Sequence, residues 1–172
     1  ARIRVFPPRI LAAPSSRPRS PASRSPDLLC VAQLNPHKKV EDVLRLLAAY
    51  RNLEPTAKCH VVGRPRHRAY RDYLHWVERT ELGLPEGAVV WHGTVSESDL
   101  TGLYRQAGAL ISMSEDEGFC LPVMEAMGHG TPVLAYGIAA VRETLDGTGI
   151  TFSSRQFDHL ARALHALLQD DA

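Results

Sequence analysis

From Leu28 onward, short apolar runs alternate with segments of helical periodicity, and few architectures accept that rhythm. The runs are Leu28–Leu34, Lys58–Gly63, Ala88–His92, Ala109–Met113, Pro132–Tyr136 and Ile150–Phe152. They lack polar alternation, as strands covered on both faces do. Between them lie a helix from near Lys39 with Val40, Val43, Leu44 and Leu47 on one face, and a helix over 69–82 closed by Gly83. The second of these is expected to turn Tyr73, Trp76 and Val77 inward. A third helix opens on the S-x-x-D box Ser96–Asp99 and carries Leu100, Leu103 and Tyr104; others are expected over Leu121–Gly128 and about Gln156–Leu168, with Glu143 on a short turn or helix start. Six strands separated by helices require right-handed crossovers and hence a doubly wound, Rossmann-like parallel α/β sheet.

Ligands of such sheets bind at the carboxyl ends of the strands. That edge would carry Asn35–Lys38, Gly63–Arg64, Gly93–Val95 and Glu115–Gly118. The densest stretch is Ser112–Thr131, SMSEDEGFCLPVMEAMGHGT, where a strand feeds a loop of three carboxylates, then Gly118, then an amphipathic helix. A glycine turn into a helix N-terminus aims backbone N–H groups at an anion. A phosphate or diphosphate held between Lys38 and the N–H groups of Phe119, Cys120 and Leu121 would gain from the ammonium and from the helix dipole. Alone, Lys38 reads as a solvated loop lysine, Glu117 as an acid in a charged run and Glu125 as a surface helix residue. Together, Glu125 could accept hydrogen bonds from vicinal hydroxyls such as those of a ribose, and Glu117 could hold sugar hydroxyls.

A divalent-metal reading of Glu115–Glu117 is weaker, because three adjacent residues rarely aim their carboxylates at one ion. The eight His show no metal-ligand spacing, and His37 and His92 are the two near the site. Ser114 reads as a loop hydrogen-bonder rather than a nucleophile.

Residues 1–27 carry six Pro, five Ser and six Arg and are expected to be an extended linker or tail, with residues 28–172 forming the folded domain. Of the 20 Lys and Arg, six lie before Asp27; the other 14 face 19 acids, so the body carries −5 and offers no nucleic-acid surface. Three separated Cys, two of them inside apolar runs, favour a reducing, cytosolic compartment. No apolar run approaches the roughly 18 residues of a membrane span, which leaves at most peripheral contact with an inner membrane face.

EDEGFCLPVMEAMGHGTPVLA resembles the signature of retaining, family 4-like (group 1) glycosyltransferases of GT-B fold, in which two glutamates stand eight positions apart; Glu117 and Glu125 take those places. The resemblance extends over Ala32–Lys38, the V-V-G of 61–63, the block at 89–107 and A-V-R-E-T at 140–144. It implies the C-terminal, donor-binding half of a GT-B enzyme, with Glu125 on the ribose, Glu117 on the transferred sugar and Lys38 on the diphosphate. It further implies that Gly118–Leu121 bind sugar and phosphate, that Gly93 and Val95 border the base, and that a UDP- or GDP-sugar is used without a metal or other cofactor. The acceptor would be a glycan or lipid-linked sugar, as in lipopolysaccharide or exopolysaccharide synthesis.

Two positions depart from the family pattern. Gln33 stands where an Arg is usual, which throws the leaving-group charge onto Lys38. Cys120 replaces the second glycine of E-G-F-G, a modest change unless the backbone needs glycine there. Val5–Pro8 resembles the stretch joining the two halves, so the acceptor domain is expected before residue 1 and the isolated chain is expected to bind donor without turnover. The rival expectation is a degenerate nucleotide-binding or regulatory Rossmann module with no transferase activity.

Overall fold

The computed structural model describes residues 25–169; most of the 1–27 segment, including the joining stretch at 5–8, lies outside them. Six strands form one all-parallel sheet: β1 (Leu28–Val31), β2 (Cys59–Val62), β3 (Val89–Gly93), β4 (Ala109–Ser112), β5 (Val133–Tyr136) and β6 (Ile150–Phe152). Their order is β3-β2-β1-β4-β5-β6, that of a doubly wound dinucleotide-type sheet. The helices are α1 (Val40–Tyr50), α2 (Arg68–Trp76), α3 (Glu97–Gln106), α4 (Leu121–Gly128), α5 (Ala139–Leu145) and α6 (Phe157–Gln169).

Because successive strand residues face opposite sides, the sheet feeds two cores. Leu28, Cys30, Cys59, Val61 and Ile111 pack with α1, α2 and α6, and Leu29, Leu110, Val133 and Ala135 pack with α3, α4 and α5. The buried, unpaired Cys30 and Cys59 are part of the first core, and burial pushes the Cys30 thiol up to about 12.

Each expected strand is present; β6 has the expected bounds, and the other five differ by one to three residues at one or both ends. The longest discrepancy is β1, which stops at Val31, although Ala32 N and Leu34 N still bond to Val62 O and Arg64 O (both 3.0 Å). The interruption falls where Gly63 (φ +139°) lies across Ala32; a Cβ there would stand 1.7 Å from the Ala32 carbonyl oxygen. No side chain fits that approach, which accounts for the glycine of V-V-G.

The second helix needs correcting. It runs as α2 to Trp76, widens into a π turn over Val77–Glu81, and ends at Gly83 with φ +57°. Tyr70, Leu74 and Val77 face the core at i, i+4, i+7, while Tyr73 and Trp76 are exposed (37% and 51%). Tyr70 wins the inward face because its hydroxyl has buried partners, donating to Glu41 Oε2 (2.6 Å) and accepting from Val40 N (3.2 Å). Glu143 sits well inside α5 rather than at its start. The N-cap half of the expected capping box forms, with Ser96 Oγ accepting from Asp99 N at 3.1 Å, while the Asp99 carboxylate takes the Ser96 hydroxyl (2.6 Å).

Candidate functional site

β1 and β4 are adjacent in the sheet, but their connections leave in opposite directions. The loop after β1 leads to α1 on one face, and the loop after β4 leads to α4 on the other. A crevice opens between two such loops at the carboxyl edge of the sheet. One backbone bond ties the loops together, Glu115 N donating to His37 O (2.9 Å), and within the second loop the buried Ser114 Oγ donates to Asp116 O (2.9 Å). The Ser114 hydroxyl is therefore a loop brace.

Across this crevice Lys38 Nζ and Glu117 Oε2 form an ion pair at 2.8 Å, their side chains only 17% and 13% exposed. Lys38 Nζ also donates to Asp116 O at 3.4 Å. Two residues 79 positions apart are thus joined. Gly118 beyond them is exposed and open, and Phe119 and Leu121 are exposed at 53% and 48%. Helix α4 then begins; Pro122 has no N–H and Val123 N already bonds to Cys120 O at 2.9 Å, so Leu121 supplies the first N–H of the helix.

Cys120, at the N-cap of α4, has φ +49° and ψ +52°. The left-handed well costs an L-residue roughly 1–2 kcal/mol, so replacing glycine here is more than a modest change. The Cys120 side chain fills part of the second core at 2% exposure, which offsets some of that cost. Burial, with Glu117's charge nearby, pushes its thiol up to about 11.

Glu125, one turn into α4, is half-buried, and its Oε2 accepts from Tyr104 Oη at 2.7 Å. Tyr104 comes from α3 and is 1% exposed; burial first, and the Glu125 bond second, raise its phenol far above the ordinary range. Gln33 is exposed and its Oε1 accepts from Asn35 Nδ2 (3.2 Å). Gly93 (φ +65°) closes β3 and accepts from Gly63 N (2.7 Å), while Val95 packs half-buried against the second core. His92 engages the neighbouring strand, its Nε2 lying 2.9 Å from His60 Nδ1.

Sequence reasoning missed two contributors. Arg155, just beyond β6, reaches back to Glu115 Oε1 (2.9 Å) and Asp42 Oδ2 (2.8 Å) with its guanidinium 4.3 Å from the Tyr136 ring centroid. Lys39 Nζ takes the other oxygen of Glu115 at 3.4 Å, so this carboxylate is a loop anchor held from both sides. The second is Tyr104, whose core-facing position gave no hint of its hydroxyl's partner. Among the described residues, no cluster of three or more His, Cys, Asp or Glu is arranged to hold a metal ion.

A parallel 3-2-1-4-5-6 sheet with a lysine–glutamate pair at its β1/β4 switch point defines a Rossmann-type domain. The family model for group 1 glycosyl transferases matches residues 25–170, and the chain belongs to that family. It is 29% identical over 167 residues to the O-antigen chain mannosyltransferase B of Escherichia coli, covering 90% of this chain and 43% of that one. It is 28% identical over 156 residues to the glycogen synthase of Mycobacterium tuberculosis, covering 90% of this chain and 36% of that one. The fold matches Alr3699/HepE of Anabaena, solved with UDP and glucose, with a TM-score of 0.74 at 23% identity over 87% of this chain and 40% of that one. The chain therefore corresponds to one half of a GT-B fold, and it spans less than half the length of these relatives.

Proposed function

We propose that this chain is the donor-binding half of a retaining glycosyltransferase that moves a hexosyl group from a nucleoside diphosphate to a glycan or glycolipid. The observation that carries the reading is the Lys38–Glu117 pair, half-enclosed at the β1/β4 switch point in front of the α4 N-terminus. A diphosphate entering there takes Lys38 as counter-ion and the N–H groups of Phe119, Cys120 and Leu121 as donors. Glu117, released from Lys38, faces the sugar hydroxyls. Glu125 receives the ribose hydroxyls, and the Gly93–Val95 loop borders the base. As the glycosidic bond breaks, the departing diphosphate gains charge and meets Lys38 and the helix N-terminus, an electrostatic stabilisation that needs no metal. The acceptor is held by a second domain, so the isolated chain binds donor without turning it over. Function at the cytoplasmic face of a membrane is compatible with this; no described helix is long and apolar enough to cross one. The E. coli relative's name points to lipopolysaccharide assembly as the setting.

Titrating the chain calorimetrically with UDP and with GDP tests the proposal, and saturable binding of at least one in the micromolar to millimolar range is expected. A folded chain that binds neither refutes it. The second reading, a degenerate module without transferase activity, draws on Gln33, whose uncharged side chain is occupied by Asn35. It predicts that Lys38→Ala and Glu125→Ala leave nucleotide affinity unchanged.

A further inference from the structure

We propose that Tyr104 is a positioning residue for Glu125: its hydroxyl fixes the plane of that carboxylate and thereby sets the preference of the site for a ribonucleotide over its 2′-deoxy form. The inference rests on the reading of Glu125 as the group that receives the ribose.

The terminal torsion of a glutamate is broad, so a half-buried carboxylate on a helix has no plane of its own. A cis-diol that donates both hydroxyls to one carboxylate needs that plane held. Tyr104 Oη donates to Oε2 at 2.7 Å, a charge-assisted bond, and leaves Oε1 and the remaining lone pairs free. The phenol is itself fixed on three sides. Its ring is buried and stacks on His129 with centroids 5.5 Å apart, and its backbone carbonyl accepts from the buried Thr131 Oγ1 at 2.6 Å. Thr131 N in turn bonds to Ala126 O at 2.9 Å, which locks the end of α4 to the end of α3. Glu125 is thus referenced to a rigid element other than its own helix. The hydroxyl of Tyr104 has no other hydrogen-bond partner among the described residues, so its removal acts on Glu125 alone.

The experiment is calorimetry of the chain with UDP and 2′-deoxy-UDP, and with GDP and 2′-deoxy-GDP. The unsubstituted chain is expected to favour the ribonucleotide by about tenfold, the size of a lost hydrogen bond to a charged group. Tyr104→Phe, which keeps the ring in its packing, is expected to bring the ratio to within about twofold by weakening only the ribonucleotide. Equal weakening of both ligands would make Tyr104 a packing residue and overturn the inference, as would an unchanged ratio. Glu125→Gln is the second arm and holds even if Tyr104→Phe fails to fold. It keeps an oxygen for Tyr104 but turns an amide NH2 toward the diol, so it too must lose the preference, and retaining it overturns the inference. If the unsubstituted chain binds nucleotide without any ribose preference, the role of Glu125 falls first and this inference with it.

Discussion

Replacing Glu117 with Gln is expected to tighten the binding of a free nucleoside diphosphate, although Glu117 belongs to the proposed site. Lys38 is engaged with Glu117 at 2.8 Å, so an incoming diphosphate must compete for the ammonium. At that distance the gross attraction is about 1.5 kcal/mol with the dielectric of water and about 6 kcal/mol at an effective value of 20. Partial burial places the pair between those limits, and desolvation and side-chain entropy reduce the net value to about 1 kcal/mol. Losing that competition should improve diphosphate affinity by about fivefold. Removal of a like charge beside the phosphates acts in the same direction. Titration of UDP and UDP-glucose into Glu117→Gln, Lys38→Met and the double variant provides the assay, with the urea midpoint as a control for folding. Glu117→Gln should bind UDP more tightly and lose any advantage for the sugar-bearing ligand, Lys38→Met should weaken both, and the double variant should gain less over Lys38→Met than Glu117→Gln gains over the unsubstituted chain. A Glu117→Gln chain that folds normally and binds UDP no better would refute the competition. A full gain persisting without Lys38 would refute the role of the pair.

Arg155→Ala should lower stability by about 1–2 kcal/mol, from a cation–π contact and partly exposed ion pairs, because Asp42 keeps Arg45 Nη1 at 2.8 Å while Glu115 keeps only Lys39. Urea unfolding checks it, and a change under about 0.5 kcal/mol would reduce Arg155 to an ordinary surface residue. His92 has its pKa lowered from 6.5 by burial and by the charge of His60. The unfolded chain therefore binds the extra proton first, and stability is expected to fall as pH drops from about 6.5 through the depressed value. His92→Gln should flatten that limb of a pH series of urea midpoints; an unchanged slope would assign the dependence elsewhere.

The architecture and the location of the site could be read along the chain because they depend on local periodicity. Six apolar runs that lack polar alternation demand a doubly covered sheet, and helices between them demand parallel crossovers, which puts Lys38 and Gly118 at one edge. Motif spacing singled out Glu117 in the loop and Glu125 in the helix that follows it as candidates. Tertiary structure alone decided what each charge touches. The Lys38–Glu117 pair spans β1 and β4, Arg155 crosses from β6 to Glu115, and the Tyr104 hydroxyl meets Glu125 across two helices. None of these contacts has a sequence period, because each arises from how far a side chain reaches between packed elements. The same holds for Tyr73 and Trp76, since aromatic composition could not say which face of α2 offered a buried partner for a hydroxyl. The glycine usual at position 120 hinted at a left-handed backbone, and only the structure shows that Cys120 adopts it with its side chain packed in the second core.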